Sequence, residues 1–228
     1  MSRQDFADYP CPICVHGYIP VPCGKNSMEE VVTDLWHIYS YGTRADIPFA
    51  TDEEKTFAWN SVAICAEIAG VTVLVSTVLD TDVYIMIRGE EAEAKHFIVA
   101  LKQRLARRYG RMNFTAVKIH DRKEAMVRFM QVYCYCLDFF PAIPQDYPWG
   151  SGHIYFSDLR IHYACIRLGD FSLREQYRQL GTRKLLPPAW LLDADGRIIP
   201  ESFIDYLYAE QLFRDAWTFL KYYAGDKE

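Results

Sequence analysis

Two short apolar runs between Val71 and Gly89, separated by a polar break, constrain the fold of this chain more than any other feature. Both runs are rich in β-branched residues, and the break Leu79–Asp82 has the Asp and Thr residues typical of a tight turn. We therefore predict two β-strands joined by a turn. Because side chains alternate along a strand, the second strand has two faces: Asp82, Tyr84, Met86 and Arg88 on one, Val83, Ile85 and Ile87 on the other.

The strand pair belongs to a longer series of predicted strands and helices. A strand over 35–41 precedes a helix that Thr51 caps and Gly70 ends. Apolar residues at steps of three and four predict a helix from Glu91 to Arg108, and a further helix runs from Arg122 to about Phe139. Strands and helices in this order indicate an α+β fold with an antiparallel sheet.

The sequence divides into three predicted parts. Residues 1–32 are rich in Pro, Cys and Gly and form an irregular arm, and residues 33–157 form the α+β domain. Residues 158–228 form a helical C-terminal extension, in which Ser172 and Glu175 make a capping box and Gly181 ends the helix. Half of the 228 residues are hydrophobic, which is enough for a packed core.

Composition excludes some classes of protein. The sequence has no apolar run of about 18 residues and does not begin with a signal peptide, so we expect a cytoplasmic protein without membrane contacts. The formal net charge of −5 is unfavourable for a general nucleic-acid coat, but it allows a local basic groove.

One stretch of the second long helix could supply such a groove. Four arginines lie three or four positions apart on one predicted helical face, a nearby lysine adds to the local charge, and no acidic residue interrupts them. Arginine forks suit phosphate groups, so we predict a DNA-binding surface here; the alternative is an ordinary solvated helix face. The predicted DNA-binding residues are Lys102, Arg104, Arg107, Arg108 and Arg111.

The N-terminal arm contains a candidate zinc site. Cys11 and Cys14 are separated by two residues, a spacing that lets two thiolates share one zinc ion, and His16 and Cys23 could complete the four ligands. The alternative is that these cysteines stay reduced and unligated, as is usual inside cells.

Several landmarks in a fixed order resemble the HUH single-tyrosine transposases, including the REP-associated tyrosine transposases. The resemblance covers residues 35–156 and implies a ferredoxin-like antiparallel sheet with helices on one face, binding single-stranded or hairpin DNA and often forming a homodimer. Its landmarks are the opening strand and loop Trp36–Arg44, the segment Ile47–Phe49, the strand pair Val71–Gly89 and the run Asp146–Ser151.

In that family a short Asn-His-hydrophobic-His run holds a divalent metal, and a helix tyrosine attacks the DNA phosphodiester. The corresponding run here is Thr81–Tyr84, so Asp82 and Tyr84 replace both histidines. By resemblance, Asp82 would hold Mg²⁺ or Mn²⁺ and Tyr133 would be the nucleophile, with Tyr135 as second candidate. The alternative is that Asp82 caps the turn and the tyrosines pack in the sheet and core.

Three functions therefore stand as hypotheses. The leading one is a transposase-like protein that binds DNA but is impaired in transposition. The second is an active metal-dependent tyrosine nuclease or transposase with a substituted metal site. The third is a protein-interaction module that keeps the fold alone.

Overall fold

The computed structural model describes residues 34–41, 47–138, 144–156 and 165–213. Its first elements follow in the order strand, helix, strand, strand, helix, strand, and the strands form a four-stranded antiparallel sheet with the order β2-β3-β1-β4. This order is ferredoxin-like, and it confirms the predicted α+β class. The elements are β1 (Leu35–Tyr41), α1 (Asp52–Ala69), β2 (Thr72–Val78), β3 (Val83–Arg88), α2 (Glu91–Tyr109) and β4 (Asn113–Ile119).

Local signals explain where these elements begin and end. The Thr51 side chain accepts a hydrogen bond from the Glu54 amide, and the Glu54 carboxylate accepts one from the Thr51 amide, so α1 begins at a complete capping box. Gly70 ends α1 in the left-handed conformation, with a φ of 76°. The turn between β2 and β3 closes where the Leu79 amide donates to the Asp82 carbonyl at 2.8 Å. The predicted strand pair is therefore confirmed.

Both faces of the sheet are covered. The neighbouring residues Ile85 and Met86 point to opposite faces, and each is 0% exposed. The helix α3 (Arg122–Cys134) covers the face of Tyr84, because the Thr77 hydroxyl on that face donates to the Val132 carbonyl at 2.8 Å. Helices α1 and α2 pack together on the other face. The sequence prediction included helices on one face only; α3 adds a layer on the second.

Two features of this domain differ from the sequence prediction. The strand β4 was not among the predicted elements. The helix α3 ends at Cys134 rather than near Phe139, and a 3₁₀ turn over Tyr135–Asp138 follows it. This change of helix type brings the Tyr135 ring next to β3, as described below.

The C-terminal part is not purely helical and packs into the domain. Its two-stranded sheet of β5 (Ile166–Arg167) and β6 (Leu191–Leu192) accompanies short helices. A separate apolar cluster joins it to α1 through Ala63 and Ile64. Its short helices are α5 (Leu173–Leu180) and α6 (Tyr206–Leu212), and the short helix α4 (His153–Phe156) precedes it in the chain.

Hydrogen bonds reinforce this docking. The Trp59 indole donates to the Ile198 carbonyl at 2.7 Å, and the Asn60 side chain both donates to the Gly196 carbonyl and accepts from the Ile198 amide. The predicted capping box of Ser172 and the stop at Gly181 are confirmed at the two ends of α5. The extension is thus fixed to one face of α1.

The two edges of the sheet differ. The outer edge of β2 receives the Trp149–Ser151 segment and the start of α6, since Val78 donates to Trp149 and Asp205 donates to Val73, each at 2.9 Å. Within the part of the chain that the structure describes, β4 pairs with β1 alone. Among these same residues, no helix combines the length and apolarity that a membrane crossing requires.

Candidate functional site

The two residues that replace the family histidines lie at the start of β3. Tyr84 points to the sheet face that α3 covers, with Tyr39 of β1 and Thr77 of β2 as its register partners. Asp82 lies in the turn before the strand, and its carboxylate accepts a hydrogen bond from the Thr81 hydroxyl at 2.5 Å. Asp82 is therefore part of the turn, while Tyr84 is part of the sheet.

Aromatic rings fill the space around Tyr84. Its ring stacks on Tyr135 with centroids 3.7 Å apart and an interplanar angle of 17°, and it lies nearly parallel to Tyr39 at 6.2 Å. Tyr39 in turn contacts the His37 ring at 5.2 Å. Aromatic side chains that pack together in this way bury a large apolar area. The position is thus built as an aromatic cluster, which we define as His37, Tyr39, Tyr84 and Tyr135.

These residues do not fit a divalent metal site. A hard cation such as Mg²⁺ or Mn²⁺ takes several oxygen ligands, and a phenol with a pKa of about 10 is a poor one near neutral pH. Asp82 alone offers a carboxylate, and Tyr84 is engaged in ring stacking. Among the described residues, no group of three or more His, Cys, Asp or Glu is positioned to hold a metal. The candidate zinc ligands Cys11, Cys14, His16 and Cys23 lie outside the described residues.

The candidate nucleophile lies in the core. Tyr133 is 2% exposed and packs in the main apolar cluster. Its ring is in such close contact with Gly152 that a Cβ there would lie 3.0 Å from the Tyr133 ring. Tyr135, the second candidate, is half-buried against Tyr84. The role of either tyrosine in strand cleavage stays a prediction.

His37 is a buried histidine that sequence reasoning passed over. It is 1% exposed, and neither ring nitrogen has a hydrogen-bond partner. Burial in the first place, and the positive charge of Arg128 on α3 in the second, lower the pKa of His37 to about 3. The imidazole is therefore neutral at physiological pH, and protonating it in the folded protein is unfavourable.

We expect this histidine to make folding stability depend on pH. The unfolded chain takes up a proton below about pH 6.5, whereas folded His37 does not until about pH 3. The contribution of His37 to the free energy of unfolding is therefore fully present above about pH 6.5. It is lost as the pH is lowered, by about 2 kcal/mol at pH 5. Chemical unfolding at pH 8 and pH 5 should show this loss in the parent protein and lack that component in His37→Leu. The exposed His96→Gln is the control, and an unchanged loss in His37→Leu would contradict the assignment.

Four of the five predicted DNA-binding residues lie on α2, in different environments. Arg111 follows the helix, because α2 ends at Tyr109 and Gly110 turns the chain away, so Arg111 does not continue the helical face as predicted. Arg104 forms hydrogen bonds within the protein. Its guanidinium donates to the Ser61 hydroxyl at 2.9 Å and to the Leu180 and Gly181 carbonyls. Arg108 pairs with Glu53 at 2.7 Å. Lys102 lies two positions from Arg104, so the two side chains leave the helix in directions about 200° apart.

Arg107 and Arg111 are the members of this set that face solvent. Both are exposed, and within the described residues neither forms an ion pair. Arg107 is close enough to Arg104 for its charge to contribute, after burial, to a lowered pKa of Arg104. The end of α2 is therefore a locally electropositive surface on an acidic protein.

Sequence reasoning missed a second group of cations beside this surface. The α5 C-terminus accepts the hydrogen bonds of Arg104, so α5 and the loop after it lie next to α2. The signal was present as a local excess of basic residues, but their proximity to α2 is not visible in sequence. The exposed cations of this segment are Arg174, Arg178, Arg183 and Lys184.

A cleft elsewhere on the described part of the protein is acidic. It has a volume of about 570 Å³ and separates the start of α1 from the loop that contains Asp193 and Arg197. Asp52, Glu53 and Asp195 also line it. This charge does not suit a phosphate backbone, so the cleft and the electropositive surface are separate candidates.

Comparison with known proteins gives a distant likeness. No family model matches the sequence, and no curated protein matches it. Among solved structures, the chain is similar to a REP-associated tyrosine transposase bound to a REP hairpin, with 8% sequence identity and a TM-score of 0.40. The match covers 58% of this chain and 85% of that chain. These comparisons assign the chain to no family.

Proposed function

We propose that this protein binds single-stranded or hairpin DNA through the exposed end of α2, and that it does not cleave the strand. The observation that carries the proposal is the pair Arg107 and Arg111, exposed and without an ion-pair partner among the described residues, in a chain of net charge −5. Arginine binds phosphate oxygens in a bidentate manner, and an unpaired guanidinium is available to do so.

Two further observations support the proposal. The sequence landmarks from Trp36 to Ser151 resemble those of a DNA-binding transposase family, and the ferredoxin-like strand order agrees with what that resemblance implies. Cleavage is left out of the proposal because the metal-binding position is occupied by stacked rings of Tyr84 and Tyr135. Phosphoryl chemistry without a metal or an equivalent cation would lack the charge stabilisation that the reaction needs.

The salt dependence of binding tests the proposal. Fluorescence anisotropy with labelled hairpin and single-stranded DNA from 50 to 300 mM salt should give a linear fall of log affinity with log salt. Each phosphate contact contributes a slope of about −0.7 to −0.9, so Arg107→Ala/Arg111→Ala should reduce the slope by about 1.4 to 1.8. The exposed Lys123→Ala on α3, on the other side of the sheet, is the control.

Two results would contradict the proposal. Absence of binding by the parent protein at 50 mM salt removes DNA as a partner. A covalent protein–DNA adduct with Mg²⁺ or Mn²⁺, lost in Tyr133→Phe or Tyr135→Phe, would instead establish the active nuclease and the nucleophile.

A second candidate function, a protein-interaction module, is favoured by the outer edge of β4. Among the described residues this edge has no strand partner, and such edges readily accept an extended segment of another chain or a second copy. Hydrogen exchange separates the candidates, because a strand partner would protect the β4 amides while DNA bound at α2 would not.

A further inference from the structure

Tyr177 presents an exposed aromatic ring beside the electropositive surface of α2. It lies on α5 and is 48% exposed, and among the exposed large hydrophobic residues of the described chain it is the aromatic one. The Arg183 guanidinium lies 5.4 Å from the centroid of its ring. An exposed ring with a cation against it is the arrangement on which unpaired nucleic-acid bases stack, while the cation meets the backbone phosphate.

Arg104 fixes this ring relative to α2. Its guanidinium donates to the carbonyls of Leu180, the last residue of α5, and of Gly181, the residue that caps it, and so binds the negative end of that helix dipole. Its Nε donates to Ser61 of α1 at 2.9 Å. Arg104 therefore joins three helices and acts as a positioning residue, which explains why this predicted DNA contact is half-buried and engaged within the fold.

The contacts of Arg104 bring two cationic stretches of the chain together. Residues 102–111 contain five basic residues and no acid, and residues 172–184 contain four basic residues and one acid. That acid, Glu175, is engaged in the capping box with Ser172. Glu53 of α1 pairs with Arg108, so the electropositive surface ends on the side of α1. The cations thus extend from the end of α2 across α5 rather than towards α1.

The length of α5 argues for nucleic acid over an anionic membrane. Basic amphipathic helices that lie on membranes commonly have 20 to 30 residues, whereas α5 has eight. Exposed Leu173 and Leu185 flank Tyr177 and would suit a lipid surface, but a pair of leucines buries too little area to hold a protein there without a longer helix. The exposed Tyr177 ring and the neighbouring Arg183 therefore favour nucleic acid over a membrane as the ligand of this surface.

We infer that Tyr177 and Arg183 form a stacking platform for an unpaired base, and that the α2 and α5 cations hold the phosphates on either side of that base. The inference rests on the proposed DNA binding and narrows it to substrates with unpaired bases: single strands, hairpin loops or hairpin junctions. Blunt duplex DNA engages the cations alone.

Base stacking can be measured directly on the full chain. The probes are an oligonucleotide and a hairpin loop that contain the fluorescent base 2-aminopurine, whose emission falls when it stacks. We expect quenching on binding, and Tyr177→Ala should remove the quenching and weaken binding by about 5- to 150-fold, the range for one base–aromatic contact. Tyr177→Phe retains the ring and should retain both signals. Leu185→Ala should change the affinity less than about 2-fold.

Each outcome distinguishes this inference from the proposed function. If the parent protein binds and Tyr177→Ala binds equally well, the platform is wrong and DNA binding stands. Equal losses in Tyr177→Ala and Leu185→Ala would also overturn it, because they indicate a general apolar contact. No binding of any DNA by the parent protein overturns both, and binding to phosphatidylglycerol vesicles instead would identify the surface as a lipid site. Thermal unfolding of each variant confirms that the fold is unchanged.

Discussion

Arg197→Ala should lower the free energy of unfolding by about 3 to 5 kcal/mol, because it leaves a buried carboxylate without its partner. The Arg197 Nε and an Asp193 carboxylate oxygen are 2.9 Å apart, and each side chain is 7% exposed. The other Asp193 oxygen accepts the Asp195 and Arg197 amides, and Arg197 also donates to the Pro148 carbonyl. The pair therefore connects the C-terminal part to the segment that covers β2.

The measurement is urea unfolding followed by circular dichroism at pH 7. The matched control is Lys95→Ala, which removes the exposed pair of Lys95 and Glu91 on α2, with side chains 71% and 59% exposed. An exposed pair four residues apart on a helix contributes about 0.3 to 0.5 kcal/mol. A loss in Arg197→Ala as small as that of the control would show that the Asp193 carboxylate is hydrated in solution.

Trp59→Ala should cost a similar amount, about 3 to 5 kcal/mol, through the cavity it leaves. Trp59 is 0% exposed, packs edge-on against Phe203 at 5.4 Å, and donates to the Ile198 carbonyl. The variant Trp59→Phe separates the loss of the indole hydrogen bond from the loss of the ring. It keeps most of the ring area but leaves a buried carbonyl without its donor, which costs about 1 to 3 kcal/mol.

The shape of the unfolding transition gives a second result. Because Trp59 is on α1 and its partners are on the extension, we expect the α+β domain and the extension to unfold together in one transition that moves in both variants. Two separate transitions, only one of which responds to Trp59→Ala, would show that the extension is an independent unit.

Local signals made part of this fold predictable. The Thr51 capping box, the Gly70 stop and the alternation in β3 each depend on residues within a few positions of one another, and the structure has each of them. The strand β4 was missed because it is a half-exposed edge strand, in which apolar residues alternate too weakly to be separated from a loop. The end of α3 was misjudged because no glycine marks it.

The site was less predictable because its contacts are distant in sequence. In the sequence, Arg104 is indistinguishable from the other basic residues of α2. Only the fold brings the Gly181 carbonyl, 77 positions later, within hydrogen-bond distance of it. The same is true of Tyr135, whose stacking on Tyr84 depends on a 3₁₀ turn that ends α3. A helical wheel identifies which residues share a face, but it does not identify what covers that face.

The covering of β2 has a consequence for the order of folding. This strand pairs with β3 across a short turn, but the residues that cover its outer edge come much later in the chain. Ser151 is 75 positions beyond its partner Ser76, and Asp205 is later still. During synthesis the first half of the chain therefore emerges with a β-branched, apolar strand edge that has no cover. Such an edge pairs readily with other nascent chains. The interval before residue 205 leaves the ribosome is when this protein is most exposed to aggregation, and when a chaperone would have most effect.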